Sequence, residues 1–435
     1  MHRTIYSFCI AAALATTSIS AQAQTIHVAG RYIIGPCGDT LTLKGVNYAP
    51  YNWGYSPDQS WIAEIASTGA NCVRLPWYAF LTTPGTPETT YGNISNLYNV
   101  VASCITHDLI PIIELHDLTC QNDSASLLIL SNFYSSSPIM AMLNAYSRNI
   151  IINVANESLF VDFDADPVTA QATYVNTYTT IVTNLRNAGV TVPIMIDAPD
   201  CGTNLDVLAD VGPTLEASDS LGNLIFSAHA YWYAFANNDP VQMQAKVDNA
   251  LASGIPFVFG EVANLQDDSD LCQYTLDYAS LLDICTNEHI GWMAWSWDND
   301  GCSARQISTN GLASSLTPYG EDIVNNASYG LSVNTVKSHD LVYGNCEGMG
   351  IHGPDVVKWS IAVDAPARRI TVFGSGKLVS ARLMDITGKE ILLHDEGARS
   401  FSYPELASGI YVFSASGMNG QRSDTYRTTQ RLFVE

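Results

Sequence analysis

Two glutamates end short apolar runs, and a pair of carboxylates is the equipment that cleaves glycosidic bonds. The first run, Arg148-Asn-Ile-Ile-Ile-Asn-Val-Ala-Asn-Glu157, is rich in β-branched residues and stops on its acid, as a buried parallel strand does when it delivers a side chain to a rim. The second, Pro256-Phe-Val-Phe-Gly-Glu261, has the same design, with Gly260 letting the backbone turn closely beneath the carboxylate. In such a pair one acid protonates the leaving oxygen while the other attacks the sugar or activates water. Either glutamate alone could simply end a strand in solvent, where long charged side chains normally sit. A shared site requires the fold to bring them together.

The elements able to do that form a repeat. Apolar strand candidates occur at residues 41–48, 71–76, 110–116, 149–156, 192–197, 224–229, 257–261 and 290–297. Between them lie segments of helical period, among them 61–67, 100–106, 168–187, 241–252 and 274–286. Eight strands alternating with helices predict an α/β fold, the (β/α)8 TIM barrel, because right-handed crossovers close such a sheet on itself. An open doubly wound sheet would want a glycine-rich phosphate turn after its first strand, where this chain has Ala49-Pro-Tyr-Asn-Trp53. In the closed barrel every C-terminal strand end opens on one face, so acids about a hundred residues apart can converge there. The alternating stretch 26–43 reads as a hairpin closing the opposite end.

Six more polar or aromatic residues fall at these strand ends: Arg74, His116, Asn156, His229, Tyr231 and Trp295. Each taken singly has a structural explanation, but their common position points to one polar cleft. Asn156-Glu157, His229-Ala-Tyr231, Phe259-Gly-Glu261 and Trp292-Met-Ala-Trp295-Ser-Trp297, in that order, resemble the family 5 glycoside hydrolases of the clan A barrels. Within that family the chain is most similar to bacterial endo-β-1,4-mannanases, with cellulases next. The resemblance implies that Glu157 is the acid/base and Glu261 the nucleophile of a retaining mechanism without cofactor or metal. It further implies that Arg74 and Tyr231 hold Glu261 ionised, that Asn156 bonds the sugar 2-hydroxyl, that His116 and His229 line the −1 position, and that Trp295 stacks on the sugar. Trp292 is expected to fill core. The implied activity is endo-acting hydrolysis of a β-1,4-linked polysaccharide, mannan ahead of cellulose. A carbohydrate-binding barrel without activity is the reading from another class.

The remaining chain divides by composition. Residues 1–23 have a basic start, an apolar stretch and an Ala21-Gln-Ala23 cleavage site, and read as a secretory signal peptide. The barrel is expected over 24–332, a polar, glycine-rich linker over 333–357, and a small all-β sandwich over 358–435, where apolar and polar residues alternate. That last segment resembles the C-terminal sorting domain of type IX secretion cargo in Bacteroidetes, which implies export machinery as a partner and a secreted or cell-surface protein; a carbohydrate-binding module is the alternative. The formal charge is −23, and ten of the nineteen lysines and arginines lie from Lys358 onward. So acidic a body excludes nucleic acid and anionic lipid as partners and leaves a neutral polymer compatible. No apolar run after the leader has the length of a membrane helix. Nine cysteines follow the leader, an odd number that leaves at least one unpaired in an oxidising compartment. Their spacings match no zinc site. Asp162-Phe-Asp-Ala-Asp166 has the acid spacing of a calcium loop, but Pro167 stands where that loop needs glycine, and it reads as a solvated loop.

Overall fold

The computed structural model describes residues 25–50, 61–79, 94–231, 235–266 and 272–346, and further on 360–364, 368–373, 377–385, 389–397, 400–406, 409–418 and 425–434. The expected signal peptide, the acidic stretch 267–270 and residues 347–357 of the expected linker lie outside the described residues. The chain divides into two units between Cys346 and Glu347.

In the first unit eight parallel strands close a barrel in chain order: β1 (Lys44–Asn47), β2 (Cys72–Trp77), β3 (Ile110–Leu115), β4 (Ile151–Asn153), β5 (Ile194–Asp197), β6 (Leu224–Ala230), β7 (Phe257–Val262) and β8 (Gly291–Ala294). Pairing of Lys44 with Trp292 seals β1 to β8. The TIM barrel read from the sequence is the fold observed. Several strands are shorter than their apolar runs, β4 most consequentially. β4 stops at Asn153, and beyond it Val154 N–H donates to the Met195 carbonyl (3.0 Å) and Asn156 N–H to the Leu115 carbonyl (2.9 Å). Glu157 then takes a left-handed φ of 50°. A bend after the strand, and not its last pleat, turns this glutamate.

Alternate strand side chains point into the barrel, which sorts the interior into layers. Toward the N-terminal strand ends Cys72, Ile112, Ile151, Met195 and Ile225 pack with Ile33 and Leu41 of a three-stranded antiparallel sheet that plugs the barrel, and with Ile26 just before it. Two residues further along the same strands stand Arg74, Glu114, Asn153, Asp197 and Ser227, all fully buried. Charge buried at this depth costs several kcal/mol per ion unless it is paired and hydrogen-bonded, and here Arg74 pairs with Glu114, Asp197 and Glu261. A second apolar layer, between strands and helices, supplies the core proper, with Trp77, Trp292 and Trp297 among its largest buried side chains.

The expected linker is corrected over 333–346. That stretch carries the end of the helix Leu331–Asn334 and the helix His339–Tyr343, and Asp340 accepts from Arg148 (2.5 Å) and Asn149 (2.6 Å). A Cys37–Cys346 disulfide ties it to the N-terminal sheet region. Glycine-rich composition announces flexibility, but the cross-link and the half-buried ion pair override it. Cys120–Cys201 and Cys272–Cys302 form two further disulfides, while Cys72, Cys104 and Cys285 are unpaired and buried. Among the described residues no single helix is long and apolar enough to cross a membrane.

The second unit has two four-stranded antiparallel sheets. One is ordered Ser360–Asp364, Arg369–Phe373, Ser400–Ser402, His394–Gly397; the other Glu390–Ile391, Lys377–Asp385, Gly409–Met418, Thr425–Val434.

Candidate active site

At the C-terminal strand ends the barrel opens into a cavity of about 570 Å³ whose lining includes His116, Asn156, Glu157, Tyr231, Glu261 and Trp295. Its floor is organised by Arg74. From β2 the guanidinium donates to Asn153 Oδ1 (2.9 Å), Asn47 Oδ1 (3.1 Å), Asn156 Oδ1 (2.8 Å), Asp197 Oδ2 (3.0 Å) and Glu261 Oε1 (2.5 Å). A planar fork with five donors can join β1, β4, β5 and β7 at once; lysine could not.

The two glutamates meet over this floor. A carboxylate oxygen of Glu157, one of Glu261 and a ring nitrogen of His229 all lie within 4.8 Å of one another. Glu261 receives the Tyr231 hydroxyl on Oε2 and the Arg74 guanidinium on Oε1. His229 Nδ1 lies 2.7 Å from Glu157 Oε1 and 3.6 Å from Glu261 Oε2, so one imidazole serves both acids.

Their environments push the two acids apart. Burial raises Glu157, and the nearby charge of Glu261 adds to this, outweighing the His229 contact that pulls it down. Burial also opposes ionisation of Glu261, but the charges of His229, Arg74 and His116 and the Tyr231 hydroxyl overcome it and hold that carboxyl below its usual range. His229 is raised to about 9: burial alone would lower it, and Glu261, Asp197 and Glu157 outweigh burial. His116, bonded to Glu114 at 3.1 Å, is raised for the same reason. One acid that keeps its proton beside one that loses it is the pattern of an acid and nucleophile pair.

The walls come from the loops after the strands. Trp295, after β8, stacks over His116 (centroids 5.8 Å, 13° between planes), and its indole N–H donates to Asp300 Oδ2 (2.7 Å). Asp300 also binds Arg305 (2.7 Å), whose guanidinium lies 5.5 Å from the centre of the Tyr231 ring. Opposite, the Cys120–Cys201 disulfide joins the loops after β3 and β5 and itself lines the cavity.

One sequence expectation changes here. His229 is expected to line the −1 position, but it is fully buried beneath the carboxylates and does not line the cavity; Arg74, grouped with the substrate-binding residues, is likewise buried away from the cavity and lies against Glu261. Arg74 donates to Glu261, Asp197 and three asparagines, and His229 Nδ1 meets Glu157, so both act on the acids and their supports. Asn156, His116, Tyr231 and Trp295 do line it, and Trp292 lies in the strand–helix core. Sequence reasoning also missed residues. Asp197 ends the apolar run Ile194-Met-Ile-Asp197 just as the glutamates end theirs, a signal that was available. Its Oδ2 accepts from Arg74 and from the Glu157 backbone N–H (3.2 Å) and lies 3.5 Å from His229 Nε2. Two glycines are required by contact. A Cβ at Gly260 would lie 2.2 Å from Ser227 Oγ, and one at Gly202 (φ 76°) would lie 2.7 Å from His229 Nδ1 and 3.0 Å from Glu157 Cγ.

Known proteins resemble this chain in sequence and fold. Residues 36–301 match the model of the cellulase family, glycosyl hydrolase family 5. A mannan endo-1,4-beta-mannosidase of Cellvibrio japonicus is 27% identical over 327 residues, covering 74% of this chain and 71% of that protein. One of Salipaludibacillus agaradhaerens is 24% identical over 303 residues, covering 69% and 91%. The catalytic domain of a mannanase from Streptomyces sp. SirexAA-E shares the fold with a TM-score of 0.62 at 22% identity, over 77% of this chain and 99% of that one.

Proposed function

The chain belongs to glycosyl hydrolase family 5, and from that premise we propose that it is an endo-acting, retaining β-1,4-glycanase whose polysaccharide is mannan, with Glu261 as nucleophile and Glu157 as acid/base. The observation that carries the pairing is the approach of the two carboxylates to within 4.8 Å combined with their opposite pKa directions. Retaining enzymes hold their carboxyls about 5–5.5 Å apart, whereas inverting ones need about 6.5–9.5 Å to admit a water.

In the first step Glu261 Oε attacks the anomeric carbon as the bond to the leaving oxygen breaks and Glu157 gives that oxygen its proton. In the second, Glu157 takes a proton from water, whose oxygen displaces the Glu261 ester and restores both acids. Tyr231 and Arg74 keep Glu261 ionised before attack, and the Asn156 amide faces the 2-hydroxyl of the −1 sugar while its Oδ1 is fixed by Arg74. Mannan is favoured over cellulose because the relatives described above are mannosidases; a beta-mannanase/endoglucanase A of Caldicellulosiruptor saccharolyticus, 25% identical over 293 residues, keeps glucan as the second reading.

A panel of galactomannan, glucomannan, carboxymethylcellulose and xyloglucan separates the two, and release of the β-anomer, followed by proton NMR, tests retention. Glu157→Gln should lower turnover about 10²–10⁴-fold on polysaccharide, the usual worth of a general acid. Glu261→Gln should abolish it. Near-normal activity in either folded variant refutes the assignment, and binding of β-glycan without any release of reducing ends by the unaltered protein would favour the non-catalytic barrel.

The same proposal extends to location. The leader at 1–23, three disulfides and the sorting-domain resemblance of 358–435 support a secreted or surface enzyme exported through the type IX route. Deleting 358–435 should abolish export without reducing binding to insoluble polysaccharide; the reverse result would make that unit a carbohydrate-binding module.

A further inference from the structure

Phe163 is 60% exposed, yet the backbone that carries it is held. The Asp200 carboxylate accepts from the backbone N–H groups of Val161 (2.8 Å), Asp162 (3.0 Å) and Phe163 (3.0 Å), which clamps the loop after β4. The ring rests edge-on against Phe160, with centroids 5.8 Å apart. A single exposed aromatic is ordinary on a protein surface. This one separates two cavities. Phe163, Asp200 and Thr203 line both the active-site cavity and a neighbouring one of about 430 Å³, into which Asn204, Asp206 and Lys246 also face.

The barrel order gives the direction. β4 and β5, whose loops carry Phe163 and Thr203, lie across the barrel from β8, whose loop carries Trp295. Glu157 follows β4, on the Phe163 side. If the sugar being attacked lies against Trp295, the part of the chain that leaves with the Glu157 proton runs toward Phe163. We infer that Phe163 is the stacking platform of an outer subsite for the leaving-group portion of a neutral β-linked polysaccharide, and that the cavity beyond it takes the following sugar. A pyranose ring has one face of C–H groups suited to an aromatic plane and a rim of hydroxyls suited to carboxylate and amide partners such as Asp206 and Asn204. A loop whose backbone is already held costs less ordering entropy on binding, which is why the clamp by Asp200 matters.

This inference rests on the proposed hydrolase and is tested so that the two can fail separately. Wild type, Phe163→Ala and Phe163→Trp are compared on a β-1,4-hexasaccharide of whichever sugar the wild type cleaves, and on the aryl disaccharide of that sugar, whose leaving group is a phenol. Phe163→Ala should lower the hexasaccharide-to-aryl ratio of kcat/KM about tenfold, equivalent to about 1.4 kcal/mol, and Phe163→Trp should restore it. An unchanged ratio in Phe163→Ala, with an active wild type, overturns the platform alone. A wild type inactive on every β-1,4-glycan overturns the hydrolase and the platform together.

Discussion

Replacing Tyr231 by Phe removes one hydroxyl and leaves its ring in place beneath Arg305. The hydroxyl donates to Glu261 Oε2, and both side chains are buried, at 7% and 2% exposure, so solvent does not screen the loss. A net hydrogen bond to a charged group contributes about 1.5–3 kcal/mol. At about 1.36 kcal/mol per pKa unit, that is a rise of about 1–2 units in the Glu261 carboxyl. The sign follows from the chemistry. Glu261 must be ionised to attack, and its carboxyl is held low by His229, Arg74, His116 and this hydroxyl; without the hydroxyl it binds its proton up to a higher pH. The acidic limb of kcat/KM against pH should therefore move up by about 1–2 units, since that limb reports the free enzyme's essential base. The basic limb, set by the proton on Glu157, should move less, because Glu157 is bonded to His229 and not to Tyr231. The assay is initial-rate hydrolysis of a soluble β-mannan from pH 3 to 9, with circular dichroism to establish that the variant is folded. A loss of rate with both limbs in place would refute the electrostatic role, and a shift confined to the basic limb would refute the assignment of the two acids.

Two further perturbations test the supports. Asp197→Asn removes a charge shared by Arg74, the Glu157 amide and His229; breaking such a buried pair should cost about 3–5 kcal/mol in chemical unfolding, and the His229 imidazole, followed by nitrogen NMR, should lose its proton well below its present value of about 9. An unaltered imidazole titration would show that Asp197 does not act on His229. Gly202→Ala places a methyl 2.7 Å from His229 Nδ1 and 3.0 Å from Glu157 Cγ, so the acid must move. Since a misplacement of about 1 Å can cost about 10²-fold, kcat should fall by that order with KM little changed, and a wild-type kcat would contradict the packing described.

What could be read from the chain was periodic. The β-branched runs and their regular recurrence mark all eight barrel strands, and four of the six residues singled out at their ends line the cavity. Depth was not legible. Arg74 and His229 carry the same polar signature as His116 and Tyr231, and only the positions of neighbouring strands show that the first two lie under the acids and the others beside the cavity. Asp197 ends its run as the glutamates do, but the run does not show what it meets; its partners come from β2, β4 and β6. The helix Leu205–Ser218 has Gly212-Pro213 at its middle, residues that signal a break, yet Gly212 lies where a Cβ would meet the Ile255 side chain at 2.7 Å. Close packing requires a glycine there, and tertiary contact outweighs propensity. The linker reading failed at 333–346 because a disulfide partner 309 residues away has no local trace.

The same buried layer explains how the proposed cycle can run in a rigid cavity. With Glu157 protonated, the carboxylates of Glu114, Asp197 and Glu261 face Arg74 and two imidazoles whose protonation those carboxylates favour. When Glu261 forms its bond to the sugar it loses its charge, and in the same step Glu157 gains one by giving up its proton. The pair carries one negative charge before and after, displaced by less than 5 Å, the separation of the nearest oxygens being within 4.8 Å. His229 Nδ1 lies within 2.7 Å of one acid and 3.6 Å of the other, so the same cation faces the charge in both states without moving. Preorganised charge of this kind lowers a barrier because nothing has to reorient as the reaction proceeds. It also accounts for the tight support of the imidazole, with Gly202 against Nδ1, Gly260 allowing the approach at Nε2 and Asp197 beyond it: a ring that has to serve two carboxylates in turn can be held in only one place.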